Sequence, residues 1–482
     1  MRSAKQKLQG PDGEGSQSSK WSHLPRDISE SILKLLSLRD YLQFGLVCTS
    51  WRTMVANALA SKHCLPAPQL PELVIPNGAP DSDTTNLCFI DLSKEKSINP
   101  KRQIFRRSQY CCGCFEGWLF MVDNADLFSS GEEKFSISSV LSSGHELSAI
   151  TNVNSSELLD ESYGALINPF NGNLMGKPNH SSSFFLLNPM SGDRIVLPSP
   201  LTITPYIKPN ESDFKKIVAS SSPNSQDCII VGLLGTYCHL AVCKLVNKCW
   251  TLIEAEETMV FLDIEIIGKT LYVLVDDGGG ESTIFYDLED ANAPKLNKVA
   301  SLEHKPESYA AIHAHVAGRS EYVGESDINF LTKDNISGEL LMIRLVATYS
   351  YNSDNTTLVR HVMFIEKYLF GPQAKEFRVW KMDKCNHQWL ELHDLDGRLL
   401  YFKGNGSIVI SSTSLNNPQE FVKGNCIYFA CFSRDEEGSS QIKIGRFCMT
   451  DKSMKHFPLC DLSAANILPV MRESFWFIPN IP

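Results

Sequence analysis

Apolar positions near the start of the chain recur at helical spacing. Leu24, Ile28, Ile32 and Leu36 draw one stripe, and Leu33 and Leu35 widen it. Pro25 suits the first turn of a helix, where its missing N–H costs nothing, and Asp27 and Glu30 stand near the positive end of the helix dipole. Ser37 and Asp40 make an S-x-x-D capping pattern that restarts the helix at about Leu38. A third helical pattern sets Val47, Trp51, Met54, Val55 and Ala58 on one side. Three short helices carrying this much apolar surface predict a module that a partner completes.

The pattern then changes. Residues 62–86, KHCLPAPQLPELVIPNGAPDSDTTN, are rich in proline, which disfavours helix at the residue before it. They read as a semi-rigid connector with a first strand within Glu72 to Ile75. Beyond residue 86, short β-branched and aromatic runs alternate with Gly, Asn, Asp and Ser clusters, the pattern of an all-β body over 87–482. A turn residue precedes an apolar strand in GWLFMV, GKTLYVLV, GELLMIRLV, GRLLYFKG and GNCIYFAC, with DCIIVGLL a looser copy. Aromatic-apolar strands such as KCWTLIE and HQWLELHDL accompany several of them. Repeated antiparallel hairpin sheets of irregular spacing predict a degenerate, kelch-like β-propeller, which leaves few long exposed edges.

Two Asn-Pro-x-x-Gly turns, NPFNG and NPMSG, begin at Asn168 and Asn188, and the second is flanked by strand patterns on both sides. The polar stretch at about 124–183 reads as an insertion. The closing segment SFWFIPNIP reads as a last strand, and pairing with the strand around Leu73 would close the ring.

Composition narrows the function classes. With 482 residues, 43% of them hydrophobic, the chain can bury a sizeable core. A formal charge of −10 argues against nucleic acid as a partner. Its one basic cluster, Lys101 to Arg107, reads as a solvated strand or loop. Residues 1–20 are polar and Gly/Ser-rich, which predicts a disordered tail rather than a signal peptide. No apolar run is long enough for a membrane span. The 15 scattered cysteines fit free thiols in a reducing compartment, cytosol or nucleus.

No catalytic centre emerges. Cys111, Cys112 and Cys114 sit together, but structural zinc wants four ligands in spaced pairs, and no second pair lies near. These thiols read as small buried residues in strands. His387 and His393 flank Trp389 and read as structural. Nucleotide-binding and nucleophile-elbow motifs are missing, so no catalytic residue, metal or cofactor is expected.

The helical stretch 21–61 resembles the F-box pattern, with Leu24-Pro25, Asp27-Ile28 at its start and Val47-Cys48-Thr49-Ser50-Trp51-Arg52 at its end. That resemblance implies docking on a Skp-type adaptor, and through it a cullin, with Leu24, Pro25, Ile28, Ile32 and Leu36 as contacts. Val47, Trp51 and Val55 are expected to form the module's own core. The body, from RRSQYCCGCFEGWLF through FFLLNPMSGDRIVLPSP to VKGNCIYF, resembles the plant KIB-type β-propeller domain that follows many F-boxes. Cys114 departs from that family's usual small polar residue. Together they imply a non-catalytic substrate receptor that brings a target protein to a ubiquitin ligase for degradation. The alternatives are a scaffold that drives no ubiquitination and a propeller enzyme.

Overall fold

The computed structural model describes residues 24–36, 38–61, 70–77, 84–91, 96–98, 104–106, 109–123, 166–167, 174–175, 183–198, 214–234, 239–256, 259–277, 280–290, 295–297, 312–316, 319–352, 373–386, 388–403, 406–412, 422–434, 440–458 and 475–478. Two compact units divide between Gln69 and Leu70. The first holds three helices, α1 (Arg26–Leu35), α2 (Leu38–Val47) and α3 (Thr49–Ser61).

The second unit is a six-bladed β-propeller. Blade 1 joins Phe475–Phe477 to Glu72–Asn77, Thr84–Asp91 and Lys96–Ile98, with Ile104–Arg106 also on Thr84–Asp91. Blade 2 runs through Gln109–Phe115, Trp118–Asp123, Ser183–Leu187 and Arg194–Leu197. Blades 3 and 4 are four-stranded meanders, Phe214–Ala219 to Cys249–Glu254 and Val260–Ile267 to Lys295–Asn297. Blade 5 has Arg319–Lys333, Leu340–Asn352, Gln373–Asp383 and Gln388–Leu392, plus Ile312–Val316 beside the first of these. Blade 6 orders Ile408–Ser411, Arg398–Phe402, Cys426–Arg434, Ser440–Cys448 and Met454–Pro458.

Alternating side chains of facing sheets fill each seam, as the two-residue strand period requires. Phe120 and Phe184 meet Phe214 and Trp250 between blades 2 and 3, and Val273 and Ile264 meet Val231 and Leu240 between blades 3 and 4. Phe377 packs on Phe402, Phe429 and Phe447 between blades 5 and 6. Blade 6 meets blade 1 through Tyr401, whose ring lies 5.0 Å from that of Trp476.

The proposed ring closure is present: Leu73 pairs with Trp476 and Val74 with Phe475. The strand Glu72–Asn77 therefore belongs to blade 1, and the connector gives way to the propeller at about Leu70 rather than 87. The predicted insertion lies between neighbouring strands, since Met121 pairs with Phe185. It holds a short hairpin, Leu166–Ile167 with Leu174–Met175, while the NPFNG turn and the remainder of 124–182 fall outside the described residues.

The strands led by Gly117, Gly268 and Gly338 each follow the preceding strand of their own blade across a tight hairpin. Gly117, Gly268 and Gly338 have the positive φ that these hairpins need and that glycine adopts without strain, and Gly397 has it in the turn that leads into blade 6. In GNCIYF the left-handed place passes to Asn425, φ 61°. Blade 6 departs from the antiparallel expectation, because Arg398–Phe402 runs parallel to Cys426–Arg434. Both strands start from adjoining turns, tied by Asn425, whose Oδ1 accepts the N–H groups of Leu395 and Gly397 at 3.1 and 2.6 Å.

Candidate protein-docking surface

Pro25 is the N-cap of α1, with ψ 145°, and its carbonyl accepts the Ser29 N–H at 3.0 Å to open the helix. Ser29 and Leu33 turn inward and are buried. The predicted stripe lies one position away from them. Pro25 is exposed, Leu24, Ile32 and Leu36 are half-buried, and Ile28 is 47% exposed. A helix cannot turn residues 28 and 29 to the same side, so burying Ser29 and Leu33 leaves the stripe accessible.

The module's core forms between α2 and α3. Tyr41, Phe44, Val55 and Ala58 are buried, and the Phe44 and Trp51 rings stack at 3.9 Å and 5°. A Cβ on Gly45 would lie 3.4 Å from Val55, so the two helices approach closely there. Trp51 is half-buried and Val55 buried, as core positions. Val47 is not a core position: it is 64% exposed. Its helical spacing to Trp51 assumed one continuous helix, whereas α2 ends at Val47 and the chain breaks at Cys48 before α3. The inward positions of α2 are instead Tyr41, Phe44 and Gly45, at i, i+3 and i+4.

Leu35 and Leu46 are 76% and 62% exposed. With Ile28 and Val47 they make half of the large exposed hydrophobics among the described residues, gathered within 20 residues of sequence. Burying a large aliphatic side chain is worth about 1.5–3 kcal/mol, so these exposed side chains make the module a candidate for docking. Leu46 was not singled out by helical spacing, because the α2 pattern alone does not say which of its leucines lacks a partner.

No group of three or more His, Cys, Asp or Glu side chains among the described residues could hold a metal. The Cys114 thiol donates to the Trp476 carbonyl at 2.8 Å, and burial pushes its pKa up to about 12. Cys243 and Cys426 are raised likewise to about 12 by burial, which makes all three poor nucleophiles.

One buried charged pair went unpredicted. Lys216 Nζ donates to Asp263 Oδ2 at 3.0 Å and to the Leu331 carbonyl at 2.8 Å. Asp263 in turn accepts the N–H groups of Leu331 at 2.6 Å and Ile264 at 2.9 Å. The inner strands of blades 3, 4 and 5 are thereby clamped together. Its sequence signal was charge inside apolar runs, two lysines in FKKIVA and two carboxylates in VFLDIEII.

A family profile described as KIB1-4 beta-propeller matches residues 166–453, more than half of the chain, and an F-box domain profile matches 21–58. The chain belongs to the KIB1-4 beta-propeller family. Like the F-box modules that generally bind Skp1-type adaptors, its first unit is a three-helix protein-interaction module, here followed by the KIB1-4 propeller. No curated protein matches the chain significantly. Among solved structures, a periplasmic gluconolactonase of Pseudomonas aeruginosa, PpgL, aligns over 85% of this chain and 99% of its own, at 10% identity and a TM-score of 0.33. A prolyl endopeptidase aligns over 76% and 44% at 8% identity and 0.26, and the N-terminal domain of Nup159 over 57% and 70% at 9% and 0.22. Among the described residues of this KIB1-4 protein, no helix is long and apolar enough to cross a membrane.

Proposed function

We propose that this chain is the substrate receptor of a Skp–cullin–F-box ubiquitin ligase. The observation that carries this reading is the accessible apolar stripe of α1, together with exposed Leu46 and Val47 at the end of α2, on a module that matches the F-box profile. Leu24, Pro25, Ile28, Ile32 and Leu36 are assigned to the adaptor, with the cullin reached through it. The propeller holds the target protein, and its own residues perform no covalent step. The gain is one of effective concentration: a lysine of the tethered target stays within reach of the charged ubiquitin carrier. Cytosol or nucleus is the setting such a ligase requires.

The test replaces Leu24 and Pro25 together with alanine. Two lost anchors should weaken adaptor capture by at least about tenfold, since about 1.4 kcal/mol suffices for that. The propeller's unfolding transition should not move. Adaptor and cullin that still co-purify with the double variant would overturn the reading, and so would a wild-type complex that ubiquitinates no protein bound to the propeller.

A further inference from the structure

Sheet edges present unpaired N–H and C=O groups and pair readily with other chains unless they are blunted by charge, proline or shortness. The outer strands of this propeller are blunted. Lys96, Arg194, Glu254, Lys295 and Glu391 stand in the outer strands of blades 1 to 5, and Lys455 with Pro458 in that of blade 6. At its other end, the sheet of blade 5 finishes in Ile312–Val316, sequence IHAHV, with no Lys, Arg, Asp, Glu or Pro. Among the described residues this strand pairs with Arg319–Lys333 alone.

The strand stands clear of the blade's packed part. Arg319–Lys333 has 15 residues, and its Leu331 makes the hydrogen bonds to Lys216 and Asp263. Ile312 pairs with Val323, about 26 Å along the strand from Leu331 at 3.3 Å per residue. Pairing of the next two strands of the blade ends at Thr348 and Gln373, whereas Arg319–Lys333 and its neighbour stay paired as far as Glu321 and Asn352. A three-stranded flap thus continues past the rest of blade 5, with IHAHV at its edge.

The register fixes which backbone groups are free. Val316 pairs with Arg319, so two residues separate the strands, and such a short hairpin closes on a hydrogen-bonded pair. Bonded and non-bonded pairs alternate along an antiparallel ladder. Ile312, Ala314 and Val316 therefore direct their N–H and C=O groups at Arg319–Lys333, and His313 and His315 direct theirs to the opposite side, where no strand among the described residues pairs.

We propose that this edge accepts an extended segment of the target protein as an added β-strand. The inference deepens the receptor reading above and rests on it for the source of the segment. Alternate backbone donors and acceptors at strand spacing match an extended polypeptide and no other class of ligand.

The experiment pans a displayed library of random dodecapeptides on the full chain and measures the selected peptides against three versions of it. These are the wild type, His313→Ala with His315→Ala, and His313→Pro with His315→Pro. Proline removes only the outward N–H groups, as edge positions allow, and alanine leaves the backbone unchanged. Selected peptides should bind the alanine chain within about twofold of wild type and the proline chain at least about tenfold more weakly, a loss of about 1.4 kcal/mol. Peptides that bind the proline chain as well as wild type, an alanine loss equal to the proline loss, or a failure to enrich any peptide would each overturn the proposal. So would a concentration-dependent wild-type dimer abolished by the proline pair, which would assign the edge to a second copy of the chain. If the paired variant unfolds at lower temperature, His313→Pro and His315→Pro singly carry the same comparison. Adaptor capture, measured on the same proteins, separates the two readings. Its absence in the wild type would sink the ligase assignment while the peptide result stands on its own.

Discussion

Leu73 and Trp476, from opposite ends of the propeller sequence, face each other across one antiparallel ladder. Trp476 is fully buried, its Nε1–H donates to the Phe402 carbonyl at 3.0 Å, and its own carbonyl accepts the Cys114 thiol. Blades 1, 2 and 6 therefore converge on one residue, blade 6 on its indole and blade 2 on its backbone carbonyl. Trp476→Ala should destabilise the propeller by about 3–5 kcal/mol, as large aromatic truncations in cores do. Urea unfolding of wild type and variant reads this directly, and a loss below about 1 kcal/mol would mean that the clasp contributes little.

The Lys216–Asp263 pair makes a prediction of opposite sign for single and double changes. Asp263→Asn leaves a buried ammonium without its counter-charge and should cost about 3–5 kcal/mol. Lys216→Met with Asp263→Leu removes both charges and should recover most of that loss. Equal destabilisation by the single and double variants would show that the hydrogen bonds to Leu331, and not the charges, hold the three blades.

Val47 distinguishes a surface from a core. As an exposed residue, it should tolerate Val47→Asp with a stability change of about 0.5 kcal/mol or less. Adaptor capture should nevertheless fall at least about tenfold, because the aspartate would be desolvated in the docked state. Leu33→Ala should do the reverse in thermal unfolding, lowering stability by about 2–5 kcal/mol. Circular dichroism paired with adaptor pull-down separates the two outcomes.

The buried thiols give the protein an alkaline limit. Burial raises Cys114, Cys243 and Cys426 to about 12 and Cys228 to about 11, above the ordinary thiol value of 9.0. Folding thus retains protons that the unfolded chain releases. The stability from these groups is fully present below pH 9.0 and is lost as pH rises from 9.0 toward 12. Chemical unfolding across that range should show a falling midpoint. In the native state near pH 8, iodoacetamide should label exposed Cys249 and Cys385 well before these four.

Gly445 lies opposite Phe429, and a Cβ there would come within 2.2 Å of the Phe429 ring. Gly445→Ala should therefore cost about 1–3 kcal/mol through forced displacement of that ring, which also packs on Phe377. Differential scanning calorimetry checks it.

Turn chemistry and strand alternation were readable wherever a local rule was enough. The NPMSG turn was legible, and Asn188 caps it by accepting the N–H groups of Met190 and Ser191. DNISG makes the same turn from Asp334, with matching Asp334–Glu339 and Gly338–Asp334 backbone bonds, but without a proline to announce it. The closing strand was legible because SFWFIP is apolar and stands last. The Lys216–Asp263 clamp was not, since it depends on bulges that shift register at Lys216 and Asp263 and on three strands meeting. On the docking surface, the α1 stripe followed from spacing alone. The side of Val47 did not, because one non-helical residue, Cys48, decides it.

The joint between first and last strands also sets how the ring bears force. Tension arriving along the connector enters at Leu70 and loads Glu72–Asn77, the strand that the terminal Phe475–Phe477 holds in register. Three residue pairs resist on that side and five on the other. When a molecular motor pulls from the connector, the seam that completes the circle is the first to part, and the propeller unravels from its own fastening.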